Sequence, residues 1–280
     1  MRFGVATVLT DYSIDAAELG REVEAHGFES LFLPEHTHIP VASAAPPAGG
    51  RVVDREYLHA LDPFVALAAV ATATRTLKLG TGVCLVVQRE PIRLAKQVAT
   101  LDLLSNGRLL FGVGGGWNLP ELRNHGTEPA LRWRLLRERV LAMQRIWTED
   151  AAEFQGELVR FGPLWSWPKP VQRPHPPVLI GGDGLHTLQR VVAFGDGWMP
   201  VAQRGAVPLP EKIARLQELA AQAGRGPVPV TLFRVQAQER AIARCAGWGI
   251  DRCVFWLPVA PRAEVMPALE HCAELAQRFA

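Results

Sequence analysis

The chain has 280 residues, 48% of them hydrophobic and 21% charged, with 30 basic side chains against 28 acidic ones. A length of this order fits two modest domains or one α/β barrel, and the apolar fraction excludes disorder. The near-balance of charge leaves no field to attract nucleic acid or an anionic membrane, and the apolar runs break well before the ~18 residues of a membrane span.

The N-terminus, MRFGVATVLT, enters a strand directly and lacks a signal-peptide cleavage pattern, so a cytoplasmic location is expected. Four cysteines (Cys84, Cys245, Cys253, Cys272) without CxxC spacing read as free thiols. Phe3–Val8 is the first predicted strand, and Asp15 caps a helix that carries Ala16, Leu19 and Val23 and stops at His26-Gly27. Leu31–Leu33 is the second strand and leads into Pro34-Glu35-His36-Thr37-His38. A Pro/Ala/Gly-rich loop from Ile39 to Leu58 follows, long enough to be a lid or binding loop.

Asp62-Pro63 starts a helix, and Leu77–Val87 reads as the third strand, with Gly80 and Gly82 in it. Pro91 opens a helix that ends at Asn106-Gly107. The fourth strand, Leu109–Phe111, runs into Gly112, Gly114, Gly115 and Gly116 and then Trp117 and Asn118. After an amphipathic helix, Leu131–Trp147, the chain leaves this rhythm between Thr148 and Pro176, an excursion too short to bury its own core. Strands Val178–Ile180, Trp198–Val201, Val228–Val235 and Cys253–Leu257 then alternate with helices to the end.

Eight strand-like segments alternate with helices, each strand a continuous apolar run, as in parallel sheets covered on both faces. A doubly wound sheet places its glycine turn after the first strand, but Leu9-Thr10-Asp11 has no glycine. The expectation is therefore a (β/α)8 TIM barrel, one domain over residues 1–280, with functional residues at the C-terminal ends of the strands.

The unusual clusters all fall at such ends. Glu35 and His36 read as an acid beside a proton-handling histidine. His36 and His38 also have a metal-ligand spacing, but the later strands end without a histidine to complete a site, so no metal is expected. Gly80-Thr81-Gly82-Val83 implies either a bulge or close approach of a ligand. Gly181-Gly182-Asp183-Gly184, between a strand and a helix, is read as a phosphate anchor over the alternative of an ordinary turn capped by Asp183. The Gly112–Gly116 run lacks the first-strand position of a dinucleotide fingerprint and reads as a floor. Trp117, Trp165 and Trp167 are candidate aromatic walls, and Trp198 is assigned to the core.

Taken in order, LFLPEHTHIP, LDPFVALAAVATATRTLKLGTGVCLV, REPIRLAKQVATLDLLSNGRLLFGVGGGWN, PHPPVLIGGDG and FGDGWMP resemble the luciferase-like monooxygenase superfamily. The match is to its branch of oxidoreductases that use coenzyme F420, a deazaflavin. The resemblance implies a cofactor across the barrel mouth, a homodimer, and hydride transfer to or from a small-molecule substrate. Glu35 and His36 match a pair that lies against the ring and substrate. Gly82 and Val83, beside Thr81, match a position where relatives often carry a non-prolyl cis peptide behind the ring. Gly181 and Gly182, with Asp183 and Gly184, match the phosphate-holding backbone, and Gly114, Trp117 and Asn118 fall at the ring's rim. Sugar-phosphate dehydrogenases of the family carry an acidic proton donor where this chain has Trp117, so that role and substrate are not carried over. FMN-using relatives share most of these motifs, which leaves FMN as the alternative cofactor and a non-catalytic cofactor-binding barrel as a third reading.

Overall fold

The computed structural model describes residues 1–44, 53–202 and 207–279; the middle of the predicted loop, 45–52, lies outside the described residues. Eight parallel strands make the main sheet. In chain order these are β1 (Arg2–Ala6), β2 (Ser30–Leu33), β3 (Lys78–Thr81), β4 (Leu109–Val113), β7 (Val178–Gly181), β8 (Gly197–Met199), β9 (Thr231–Val235) and β10 (Arg252–Trp256). Their spatial order is β8-β7-β4-β3-β2-β1-β10-β9. Parallel bridges Trp198↔Val230 and Val201↔Phe233 bring the two ends together, giving the near-closed (β/α)8 barrel expected from the alternation.

The outer layer is α1 (Ala16–Ala25), α4 (Pro63–Ala73), α5 (Pro91–Leu104), α7 (Arg132–Thr148), α8 (Thr187–Phe194), α9 (Leu209–Gln222), α10 (Glu239–Gly247) and α11 (Arg262–Gln277). Their starts obey local chemistry. Asp15 accepts the Glu18 N–H, Asp62 accepts those of Phe64 and Val65, and Glu90 accepts those of Ile92 and Arg93. Short helices α2 (Val41–Ala44) and α3 (Arg55–Leu58) lie between β2 and α4, and α6 (Leu119–Asn124) follows β4.

The excursion after α7 holds an antiparallel hairpin of β5 (Ala152–Gln155) and β6 (Arg160–Leu164). Glu138 on α7 ties it down, its carboxylate accepting the N–H groups of Leu158 at 2.8 Å and Val159 at 2.9 Å. Trp165 and Trp167 stand out into solvent here, 83% and 56% exposed, and so form no wall of any cleft at the barrel mouth.

Apolar side chains fill the barrel interior: Ala6, Phe32, Leu110, Leu179, Met199, Phe233 and Val254, one from each strand but β3. β3 supplies none because Gly80 faces Phe32 in register, and a Cβ there would lie 2.1 Å from the Phe32 ring. A Cβ on Gly82 would lie 2.7 Å from the Phe233 ring. Gly80 and Gly82 thus make room for aromatic side chains of the barrel, and Gly82 also lines the cleft at the barrel mouth. The predicted third strand also ends early, at Thr81, just before a cis Gly82–Val83 peptide. The apolar run beyond it is buried instead as Cys84, Leu85 and a 3-10 turn, Val86–Gln88.

Candidate functional site

A cleft of about 290 Å³ opens at the C-terminal ends of the strands. Val83, Val201 and Trp256 pack directly on the barrel's interior side chains and make an apolar floor, with Met199 and Phe233 beneath and beside them. Such a floor takes a flat apolar ring face.

His36, on the loop after β2, is 7% exposed and lines this cleft. Its two ring nitrogens have different partners. Nδ1 lies 2.8 Å from Oε2 of Glu121, a wholly buried carboxylate on α6. Nε2 accepts the Trp117 indole N–H at 3.2 Å. An indole N–H can only donate, so Nε2 carries the lone pair and Nδ1 carries the proton that Glu121 accepts. The other Glu121 oxygen accepts the Thr37 N–H at 3.1 Å, which fixes the carboxylate behind the ring. Tyr57 of α3 packs edge-on against His36, with ring centroids 4.9 Å apart.

Glu35 also borders the cleft, but its carboxylate is spent elsewhere. It accepts the Leu85 N–H and the Arg89 Nε–H, both at 2.6 Å, and Arg89 reaches on to Asp62. Burial disfavours the Arg89 charge, yet Glu35 outweighs it and raises the guanidinium's pKa. Glu35 therefore pins the segment after the cis peptide to the base of α4, and His36 alone of the pair presents a nitrogen to the cleft.

Gly114, Gly115, Gly116 and Trp117 form one wall. Cβ atoms on Gly114 and Gly115 would strike Val83 and the Trp133 ring, both at 2.6 Å, so these glycines admit side chains of the fold itself. Asn118, expected at the ring's rim, instead caps α6: it is 3% exposed, and its Oδ1 accepts the Glu121 N–H at 3.3 Å. Thr81, expected beside the ring, is wholly buried and donates to the Gly112 carbonyl at 2.7 Å.

Gly181 and Gly182 also line the cleft. The turn that follows is open to solvent, and among the described residues no backbone acceptor takes the N–H groups of Asp183, Gly184 or Leu185. Asp183 caps no helix; it pairs with Lys212 at 2.6 Å, and α8 begins without a side-chain cap. Beside this turn Trp133 lines the cleft and carries two guanidinium groups against its ring, Arg132 at 4.9 Å and Arg190 at 4.1 Å. Burial and the Arg132 charge both lower the Arg190 pKa, and the buried Arg132 Nε has no partner. Neither arginine meets a carboxylate among the described residues.

His38, the second histidine of the motif, bonds Thr37 through Nδ1 and Asn124 through Nε2, each at 2.9 Å. Among the described residues no three His, Cys, Asp or Glu side chains gather to hold a metal ion. Trp198 is fully buried in the core between sheet and helices.

Glu121, Tyr57, Trp133, Arg234 and Trp256 are site residues that sequence reasoning missed. Asn118-Leu119-Pro120-Glu121 reads as an ordinary capping pattern, in which the Glu would turn back on its own helix. Nothing local tells that its carboxylate crosses to the β2 loop.

With this geometry in hand, comparison with known proteins gives consistent results. The family model of luciferase-like monooxygenases matches residues 3–278. An uncharacterized protein of Mycobacterium tuberculosis is 41% identical over 263 residues, 92% of each chain. An F420-dependent hydroxymycolic acid dehydrogenase from the same organism is 29% identical over 195 residues, 67% of this chain and 53% of that protein. An FMNH(2)-dependent dimethylsulfone monooxygenase of Pseudomonas putida is 39% identical over 118 residues, 41% of this chain and 32% of that protein. Among solved structures, the monooxygenase RslO1 from Streptomyces bottropensis superposes with a TM-score of 0.79 at 21% identity, covering all of both chains.

Proposed function

The chain belongs to the luciferase-like monooxygenase family, and from that membership we propose that it is a deazaflavin-dependent oxidoreductase. It transfers a hydride between coenzyme F420 and a small organic substrate, with His36 handling the accompanying proton. The observation that carries this reading is the His36 tautomer: an unprotonated Nε2 that accepts the Trp117 indole N–H at the cleft, and a buried carboxylate, Glu121, on the far nitrogen. A carboxylate behind an imidazole fixes its tautomer and is the partner of the imidazolium that forms when Nε2 takes a proton.

The residues present fit a flat cofactor with an anionic end. The floor of Val83, Val201 and Trp256 receives an apolar ring face. The unspent N–H groups after Gly182, with Arg132 and Arg190, whose charges and one buried Nε have no counter-ion among the described residues, receive phosphate oxygens. When bound, the cofactor supplies the hydride chemistry, and the protein supplies position, exclusion of water and the proton route. Trp117 holds His36 Nε2 until a substrate hydroxyl replaces the indole N–H as donor to it; Glu121 keeps Nδ1 protonated throughout.

A preference for the deazaflavin over FMN rests on the longer match to the F420-dependent relative, 67% of this chain against 41% for the FMNH(2)-dependent one. Titrating the purified chain with each cofactor tests it directly. Tight binding of coenzyme F420 and reduction of that cofactor by a substrate panel are expected. Tight FMN binding with none for the deazaflavin overturns the cofactor assignment in favour of a flavin monooxygenase. Tight deazaflavin binding without turnover across the panel favours a cofactor-binding barrel.

A further inference from the structure

We propose that Arg234 makes the cleft selective for a substrate that carries an oxyanion, a carboxylate, phosphate or sulfonate, on the side away from the carbon that exchanges hydride. The inference rests on reading the cleft as a hydride-transfer site.

Arg234 sits where β9 and β10 slip register: Val254 pairs with Phe233, but Phe255 pairs with Val235, so Arg234 is the extra residue of a bulge. Its φ is +57°, a left-handed conformation that disfavours any side chain with a Cβ. A bulge beside a site re-aims one side chain. Here it turns the guanidinium into the lining of the cleft, over the face of Trp256 at 4.1 Å and 3.4 Å from the Tyr57 hydroxyl. Tyr57 in turn packs on His36, so the cation and the proton-handling nitrogen border one space.

Among the described residues Arg234 has no carboxylate within ion-pair distance. The acid that lines the cleft, Glu35, is consumed by Arg89 and the Leu85 N–H. The stack on Trp256 is an exposed cation–π contact, comparable to the backbone cost it accompanies, so stability gives no reason for an arginine where glycine is the easy residue. Around the apolar floor stand the Arg234 cation, the Tyr57 ring with its hydroxyl, and the Trp117–His36 pair. That set is complementary to a compound with a fixed negative charge at one end and a hydroxyl or carbonyl at the other.

The test uses the full-length chain, with and without oxidised coenzyme F420. Acetate, phosphate and methanesulfonate are titrated against indole fluorescence, with 2-propanol as the uncharged control. Wild type, Arg234→Gln, Arg234→Lys and Arg234→Gly are compared, with melting temperature as a check on folding. At least one anion is expected to saturate the wild type, and which one identifies the class. The affinity should fall about tenfold in Arg234→Gln and Arg234→Gly and be largely kept in Arg234→Lys, as for loss of one charge-assisted pair. Unaltered anion binding in Arg234→Gln, or no anion binding by wild type, overturns the proposal. Equally, a tenfold loss of deazaflavin affinity in anion-free buffer would make Arg234 a cofactor contact and overturn it. If neither deazaflavin nor FMN binds the wild type yet Arg234→Gln still loses the anion, the oxidoreductase reading fails and the anion site stands.

Discussion

The His36 imidazole donates from Nδ1 to the Glu121 carboxylate over 2.8 Å, across 85 positions of sequence. This contact decides which nitrogen can act, since the opposite nitrogen then faces the cleft as a proton acceptor. Replacing His36 with Ala should leave cofactor affinity intact and lower turnover about 100-fold or more, the scale of a lost acid–base group. Steady-state kinetics beside a cofactor titration checks both halves, and unchanged turnover would remove His36 from the mechanism.

Glu121→Gln keeps an oxygen for the Nδ1 proton but removes the negative charge. Turnover should fall about tenfold with the substrate KM little changed, because the imidazolium formed on proton transfer loses its negative partner. A merely structural role for Glu121 would lower the melting temperature and leave kcat in place.

Glu35 and Arg89 predict a contrast with the neighbouring histidine. The Glu35 side chain is 1% exposed and the Arg89 side chain 14%, with nitrogen and oxygen 2.5 Å apart. Removing one partner of a buried pair costs about 3–5 kcal/mol. Glu35→Ala should therefore lower the unfolding free energy in denaturant titrations by that order, more than the about 1–3 kcal/mol expected of His36→Ala, which leaves one oxygen of the buried Glu121 without its donor.

Gly80→Ala places a methyl group against the Phe32 ring in the barrel interior and should destabilise by about 1–3 kcal/mol or more. The companion change Phe32→Leu frees the space, and a double-mutant cycle should show clear coupling between the two positions. Additive effects would mean that Phe32 does not occupy the Gly80 slot.

Glu24, on α1, accepts the N–H groups of Thr76 at 2.6 Å, Leu77 at 2.8 Å and Arg75 at 2.9 Å. Burial raises its pKa, but these bonds outweigh burial and hold the carboxyl at about 2, against an ordinary 4.5. A depressed folded-state pKa stabilises above the unfolded value and loses that contribution as pH falls through the folded one. Glu24→Gln should therefore cost about 1 kcal/mol at neutral pH, a figure discounted for partial exposure. Urea titrations of both proteins across pH should show the difference shrinking between pH 4.5 and about 2. A gap that persists at pH 2 would refute the assignment.

The barrel was legible in the chain because its cause is local and repeated. Apolar runs that alternate with capped helices admit few architectures, and Asp15, Asp62 and Glu90 start their helices where the chain places the caps. The position of the cleft was legible too, since His36, Trp117 and Gly114 follow strands, Gly181 ends one, and all four line it. Partnership was not legible. The glycines of β3 and of the segment after β4 advertised close approach, but only packing revealed that the approaching groups are Phe32, Phe233, Val83 and Trp133. Glu35 and His36 are adjacent in sequence, yet one is bound to Arg89 and the other faces the cleft, because tertiary contacts assign each hydrogen bond. Arg234 carried no signal, since a bulge is a property of register between two strands and not of either strand alone.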